Sequence, residues 1–193
     1  CAQCHDHPVS PEIEQRHYWG MVSFFSRSIN VQTNKGIRVA ERATGGYSKY
    51  ADLSGKSYPS ELILFGNEPV KEVLDASEKD HSDLYVSVPS KAWFDKKNKE
   101  KKGYNLIKVD GAPVPKFSRR QKLIELAFSD NNPSFAESFI NRIWALFLGR
   151  GIVHPVDLMD SAHPPSHPDL LRWMGRDFAN SGYDIRRLIR AIL

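Results

Sequence analysis

Four side chains near the start of the chain have the chemistry to hold a cofactor: Cys1, Cys4, His5 and His7, in the run CAQCHDHP. Cys1-x-x-Cys4-His5 is the pattern of covalent haem attachment. Two thiols at this spacing can add to the vinyl groups of one haem, and the adjacent imidazole then becomes the proximal iron ligand. On this reading Cys1 and Cys4 are thioether anchors and His5 binds the iron. A second reading is a metal site without haem. The same sulfur and nitrogen donors suit zinc or another transition metal, with His17 or His163 as a ligand from further along. A third is a Cys1–Cys4 thiol or disulfide pair, although a thioredoxin-like pair belongs in a βαβ setting that this stretch lacks. The thioethers are Met21, Met159 and Met174. His7, His17 and Met21 are the alternative ligands nearest the motif, whereas Met174 falls on a packing face.

A second concentration of chemistry lies in HPVDLMDSAHPPSHP, with His154, Asp157, Asp160, His163 and His167. It offers another metal or acid–base site. It also reads as a polar interhelical loop stiffened by Pro155, Pro164, Pro165 and Pro168, and that simpler reading is the stronger. A ligating imidazole has its other ring nitrogen held by a carboxylate or carbonyl. Asp157 and Asp160 are the candidates to do this for His5, docked there by the Gly151–Asp157 turn and by Tyr18 or Met21. Arg142, on an apolar stretch, predicts a buried ion pair with Asp157 or Asp160. No catalytic residue is assigned. The chain has no nucleophile elbow, no P-loop and no dinucleotide-binding glycine pattern.

The elements that must position these groups are helical at both ends. Ser10 and Pro11 predict a helix from Pro11 to Arg27, with Ser10 as its cap and Tyr18, Val22 and Phe25 on one face. Residues 29–117 carry short β-rich runs (GIRVAE, ELILF, LYVSV, YNLIKVD) between glycine turns, an insertion with a small sheet. From Ser118 helices return: one capped by Ser118, one capped by Asn132 and stopped at Gly149, one capped by Ser166, and one capped by Asp184. Arg119 and Arg120 read as surface charges. Phe135, Phe139, Ile143 and Phe147 form a stripe expected to meet Leu170, Leu171, Met174 and Phe178, with Leu188 and Ile192 closing the group. The expected fold is mainly α with a small β-containing insertion (α+β), in segments 1–28, 29–117 and 118–193.

The 193 residues can bury a core without disulfide support, and the two cysteines provide no disulfide framework. Net charge is +4, and much of the excess sits in the run Asp95–Lys102, a solvated loop rather than a nucleic-acid surface. No run approaches the ~20 apolar residues that span a bilayer.

CAQCHDHP followed by HYWGMVSFF resembles the end of the planctomycete-type cytochrome-c-like domain of unknown function. The stretch from RRQKLIELAFS to the final Leu193, with NPSFA, NRIWALFLGRG, PVD and PPSHPDLL in order, resembles the start of the domain that follows it in the same proteins. The resemblance implies haem c at Cys1, Cys4 and His5 and an extracytoplasmic location. It also implies a large protein of unassigned role, of which this chain is an internal piece, with the rest of the polypeptide on both sides and an unidentified redox partner. The leading expectation is an electron-transfer module. The rival is a non-haem scaffold or carbohydrate-associated module whose Cys/His cluster holds a metal or braces the fold.

Overall fold

The structure is a computed structural model that describes residues 2–72, 77–87, 89–94, 106–129 and 132–193. It is α+β, with helices towards both ends and three small sheets between them. The chain forms two compact units that interleave in sequence: residues 1–17, 64–68 and 124–193, and residues 18–63 and 69–123. Cys1 and the whole Asp95–Lys102 run lie outside the described residues.

The second unit is built on a hairpin. Strands β1 (Ser28–Thr33) and β2 (Gly36–Glu41) pair antiparallel, with Val31 opposite Arg38, and β6 (Ile107–Lys108) joins β1 in parallel. Among the described residues two further strand pairs form: β3 (Lys49–Ala51) with β4 (Ser57–Pro59), and β5 (Tyr85–Ser87) with β7 (Val114–Pro115). Val31, Ala40, Ala43, Tyr85, Trp93, Ile107 and Val109 are the buried cluster. The Tyr85 hydroxyl organises it. It accepts from the Trp93 indole (2.8 Å) and the Ala43 amide (3.0 Å) and donates to Asp80 (2.7 Å). Burial, followed by the Asp80 hydrogen bond, raises the Tyr85 pKa far above the ordinary phenol value, so the hydroxyl stays a donor.

This unit also buries a charge network that the sequence does not announce. Arg119, the first residue of α3 (Arg119–Ala127), is buried rather than a surface charge. Its guanidinium donates to both oxygens of Glu72 (3.1 and 2.5 Å), to the carbonyls of Ser23 and Gly46, and to the Ser26 hydroxyl. Arg27 shares Glu72 at 2.8 Å and donates to the Gly45 carbonyl. Both guanidinium groups lie over the Tyr47 ring, at 5.4 and 5.2 Å. A buried cation is tolerated only when its donors are matched in this way. Glu41 accepts from the Ser118 hydroxyl and the Arg119 amide, while Ser118 accepts from the Gln121 amide as the expected cap of α3.

Helix α1 (Gln15–Phe25) starts later than the sequence predicts. Ser10 is not its cap; the Asp6 carboxylate accepts from the Gln15 amide at 2.8 Å instead. At Gly20 a Cβ would fall 2.4 Å from the Ile63 carbonyl oxygen, so only glycine permits this approach.

The first unit is helical. Helix α4 (Ser134–Leu148) packs on α5 (Pro168–Asn180), and α6 (Ile185–Ile192) closes the group. The core is Ala136, Ile140, Ile152, Val153, Leu171, Met174, Phe178 and Leu188. The expected faces do meet, but the inward line of α4 runs through Ala136 and Ile140. Phe139 and Ile143 flank it, with Phe139 stacked on Phe178 at 5.3 Å, while Phe135 and Phe147 are exposed. Gly149 stops α4 in the left-handed region (φ 80°), and Asp184 caps α6 through the amides of Arg186 and Arg187. The other two caps differ from expectation. Pro133 and His167 occupy the cap positions without side-chain bonds, and the Ser166 hydroxyl donates to the Ile152 carbonyl. Among the described residues no helix is long and apolar enough to cross a membrane.

Two substitutions test this account by denaturant unfolding. Ile140→Ala should cost about 2–5 kcal/mol, whereas Phe147→Ala on the exposed edge should stay within about 0.5 kcal/mol. Arg119→Ala should cost about 1–3 kcal/mol, because the buried Ser23 and Gly46 carbonyls lose a donor and Glu72 is left with Arg27 alone; a loss below ~0.5 kcal/mol, the level of an ordinary surface substitution, would contradict the network.

Candidate functional site

The tautomers of the imidazoles in the opening segment separate one ligand-ready ring from the others. His5 Nδ1 lies 2.6 Å from the carbonyl oxygen of Asp6. A carbonyl only accepts, so the neutral ring carries its proton on Nδ1 and keeps the Nε2 lone pair for a metal. His7 is opposite. Its Nδ1 accepts from the amides of Ser10 (2.9 Å) and Val9 (3.3 Å), which places the neutral proton on Nε2. His17 follows His7, with Nδ1 accepting from the Glu14 amide at 3.0 Å. Burial, with Arg16 adding to it, lowers the His17 pKa and favours that neutral form. Cys4 is a free, exposed thiol. Met21 is exposed. Among the described residues no three His, Cys, Asp or Glu side chains come together as a metal site.

The opening segment is held in place. His7 donates its amide to the Ile13 carbonyl (2.8 Å), and Gln15 Nε2 donates to the Gln3 carbonyl (3.1 Å). Ser10, buried, donates its hydroxyl to Asp160 at 2.6 Å, and Glu12 accepts from the amide and hydroxyl of Ser161 at 2.6 and 3.1 Å. The dock is therefore Asp160–Ser161, just beyond the Gly151–Asp157 turn. That turn is itself pinned by Asn141, whose side chain bonds the amide of Val153 (2.9 Å) and the carbonyls of Val153 (3.0 Å) and Val156 (3.4 Å).

Asp160 has three partners: Ser10, the Ala162 amide (3.0 Å) and His163 Nδ1 (2.7 Å). Asp157 pairs with Arg142 at 2.6 Å. The expected Arg142 pair thus forms, but both side chains are well exposed, so it is a surface bridge of small worth. His5 Nδ1 meets the Asp6 carbonyl, while Asp157 pairs with Arg142 and Asp160 with Ser10 and His163.

Beside Asp160 the same unit contains a cleft of about 490 Å³. Phe65, Phe135, Val153, Met159 and Leu171 give it apolar walls, and Glu137, Asp160 and His163 bring ionisable groups to it. Burial raises the Glu137 pKa, opposed by Arg172 and Arg176. The motif reading missed Glu137. It sits among apolar residues one turn into α4, and only its neighbour across the helix pair, Gly175, hints at the space it occupies.

Residues 119–193 match a family described as PSD1, a protein family of unknown function (DUF1553). The match covers less than half of the chain and coincides with the stretch whose motifs suggest the start of a second domain. No curated protein and no solved structure matches the chain.

The Ser10 hydroxyl, and after it His163, holds the Asp160 carboxyl below its ordinary range. A carboxyl with a lower pKa folded than unfolded adds stability above its unfolded value, near ~4, and loses it as pH falls through the folded value. Ser10→Ala should therefore move the Asp160 pKa up in a carboxyl NMR titration and flatten the acid-side loss of stability. It should also speed amide exchange over residues 7–13. An unchanged Asp160 titration would contradict the tether.

Proposed function

We propose that the opening motif attaches haem c and that the chain is an electron-transfer module of a larger extracytoplasmic protein. The observation that carries this reading is the His5–Asp6 contact: a backbone carbonyl fixes Nδ1–H and leaves Nε2 as an electron-pair donor. The donor set fits the group. Cys4 offers an exposed thiol at the required spacing from Cys1, and His5 directly follows Cys4. Haem, once held, supplies reversible one-electron transfer at iron. The chain's own part is to anchor through Cys1 and Cys4, to ligate through His5, and to hold the imidazole against rotation. The Asp6 carboxylate on the Gln15 amide and the Ser10 and Glu12 tethers keep the segment that bears the motif in place. A redox partner and the rest of the polypeptide belong to this proposal.

The test is expression of the chain in a host with cytochrome c maturation. The expected product keeps its haem absorption after acid–acetone extraction. Cys4→Ala should weaken covalent retention, and His5→Ala should abolish the ligated spectrum. A folded, haem-free product overturns the reading, and stoichiometric zinc lost in Cys4→Ala would replace it with the non-haem metal site.

A further inference from the structure

The cleft beside Asp160 is walled by apolar side chains, with Asn132, Ser134 and Ser138 as neutral polar groups, and two of its ionisable side chains have an acceptor without a partner. The Glu137 side chain is half-buried and makes no hydrogen bond or salt bridge with any described residue, although Arg172 and Arg176 act on its charge without pairing with it. His163 gives its Nδ1 to Asp160, so its Nε2 is an acceptor with no partner among the described residues. Among the described residues no lysine or arginine lines the space. The nearby cations, Arg172 and Arg176, are exposed on α5, and Arg172 is spent partly on Asp169 at 3.3 Å. Two ionisable side chains with an unpartnered acceptor, and a negative balance without a lining cation, suit a ligand that brings donors and positive charge. A carboxylate or phosphate ligand would meet Glu137 and Asp160 with like charge. A neutral alcohol would bring Glu137 no counter-charge within the cleft. The volume, about 490 Å³, is in the range of small-molecule sites and too small for a folded partner.

We propose that this cleft binds a small organic cation, an apolar body ending in a primary amine, with Glu137 as counter-charge and His163 Nε2 as a second acceptor. The apolar body lies against Phe65, Phe135 and Met159, and the ammonium group faces the carboxylate. Asp160 acts at one remove: it fixes the His163 tautomer so that Nε2 accepts rather than donates. The site shares no residue with Cys1, Cys4 or His5, so the inference stands or falls separately from haem attachment.

Three matched probes on the full chain test it: benzylamine, benzyl alcohol and benzoate, followed by NMR titration at neutral pH. Benzylamine should bind saturably, at least tenfold tighter than either analogue, and shift the His163 ring protons and the Val153 amide. Glu137→Gln should weaken benzylamine at least tenfold while leaving benzyl alcohol unchanged, with the unfolding midpoint confirming that the variant is folded. Should that variant not fold, the ranking of the three probes on the unaltered chain still decides. The proposal is overturned if benzylamine shows no saturable binding, if benzyl alcohol binds as well as benzylamine, if benzoate is preferred, or if Glu137→Gln leaves benzylamine affinity intact.

Discussion

The helical unit turns on the Asp160 carboxylate. Its side chain is almost completely shielded, so its charge must be answered by donors on the spot. Three parts of the chain answer it. The Ser10 hydroxyl comes from the segment that carries the cysteine motif, the Ala162 amide from its own loop, and the His163 imidazole from the wall of the cleft. One buried charge thereby sets the position of the opening segment and the tautomer of a cleft residue. The proline-rich stretch around it serves that geometry, and Asn141 fixes the preceding turn from within α4.

The β unit solves a similar problem with the opposite sign. Two guanidinium groups are withdrawn from water, and one carboxylate, three backbone carbonyls and two hydroxyl groups receive them. Arginine suits this role because its planar fork carries five donors in fixed directions. Burial, and then the neighbouring Arg119, lowers the Arg27 pKa, as expected for two like charges sharing a low-dielectric site, while Glu72 works against that shift.

Much of the fold is legible from local rules. The α+β class, the stop at Gly149, and the caps at Ser118 and Asp184 follow from side chains acting on backbone a few residues away. The errors arise where a distant partner outbids a local one. Ser10 has the form of a helix cap, yet its hydroxyl goes to a carboxylate 150 positions away, and Asp6 takes the helix start. Ser166 likewise bonds Ile152 rather than α5. Arg119 reads as surface because its partners, Glu72 and the Ser23–Gly46 backbone, carry no mark in sequence. The motif at Cys1–His5 was visible at once, but which nitrogen of each histidine is free depends on backbone contacts that spacing cannot reveal. The cleft was invisible for a related reason: Glu137 looks like one more polar residue on a helix.

The burial of Arg119 bears on how this chain could be divided or recombined. Sequence motifs invite a boundary just before Ser118, where the helical pattern resumes. A polypeptide ended there would retain Glu72 with Arg27 as its remaining counter-charge, and would leave Glu41 without its Ser118 and Arg119 donors. The transferable β module therefore extends through the first turn of α3, into the stretch that a family model assigns elsewhere. The insertion and the start of the following segment thus share one buried salt, in which Glu72 of the first holds Arg119 of the second and Arg27 beside it.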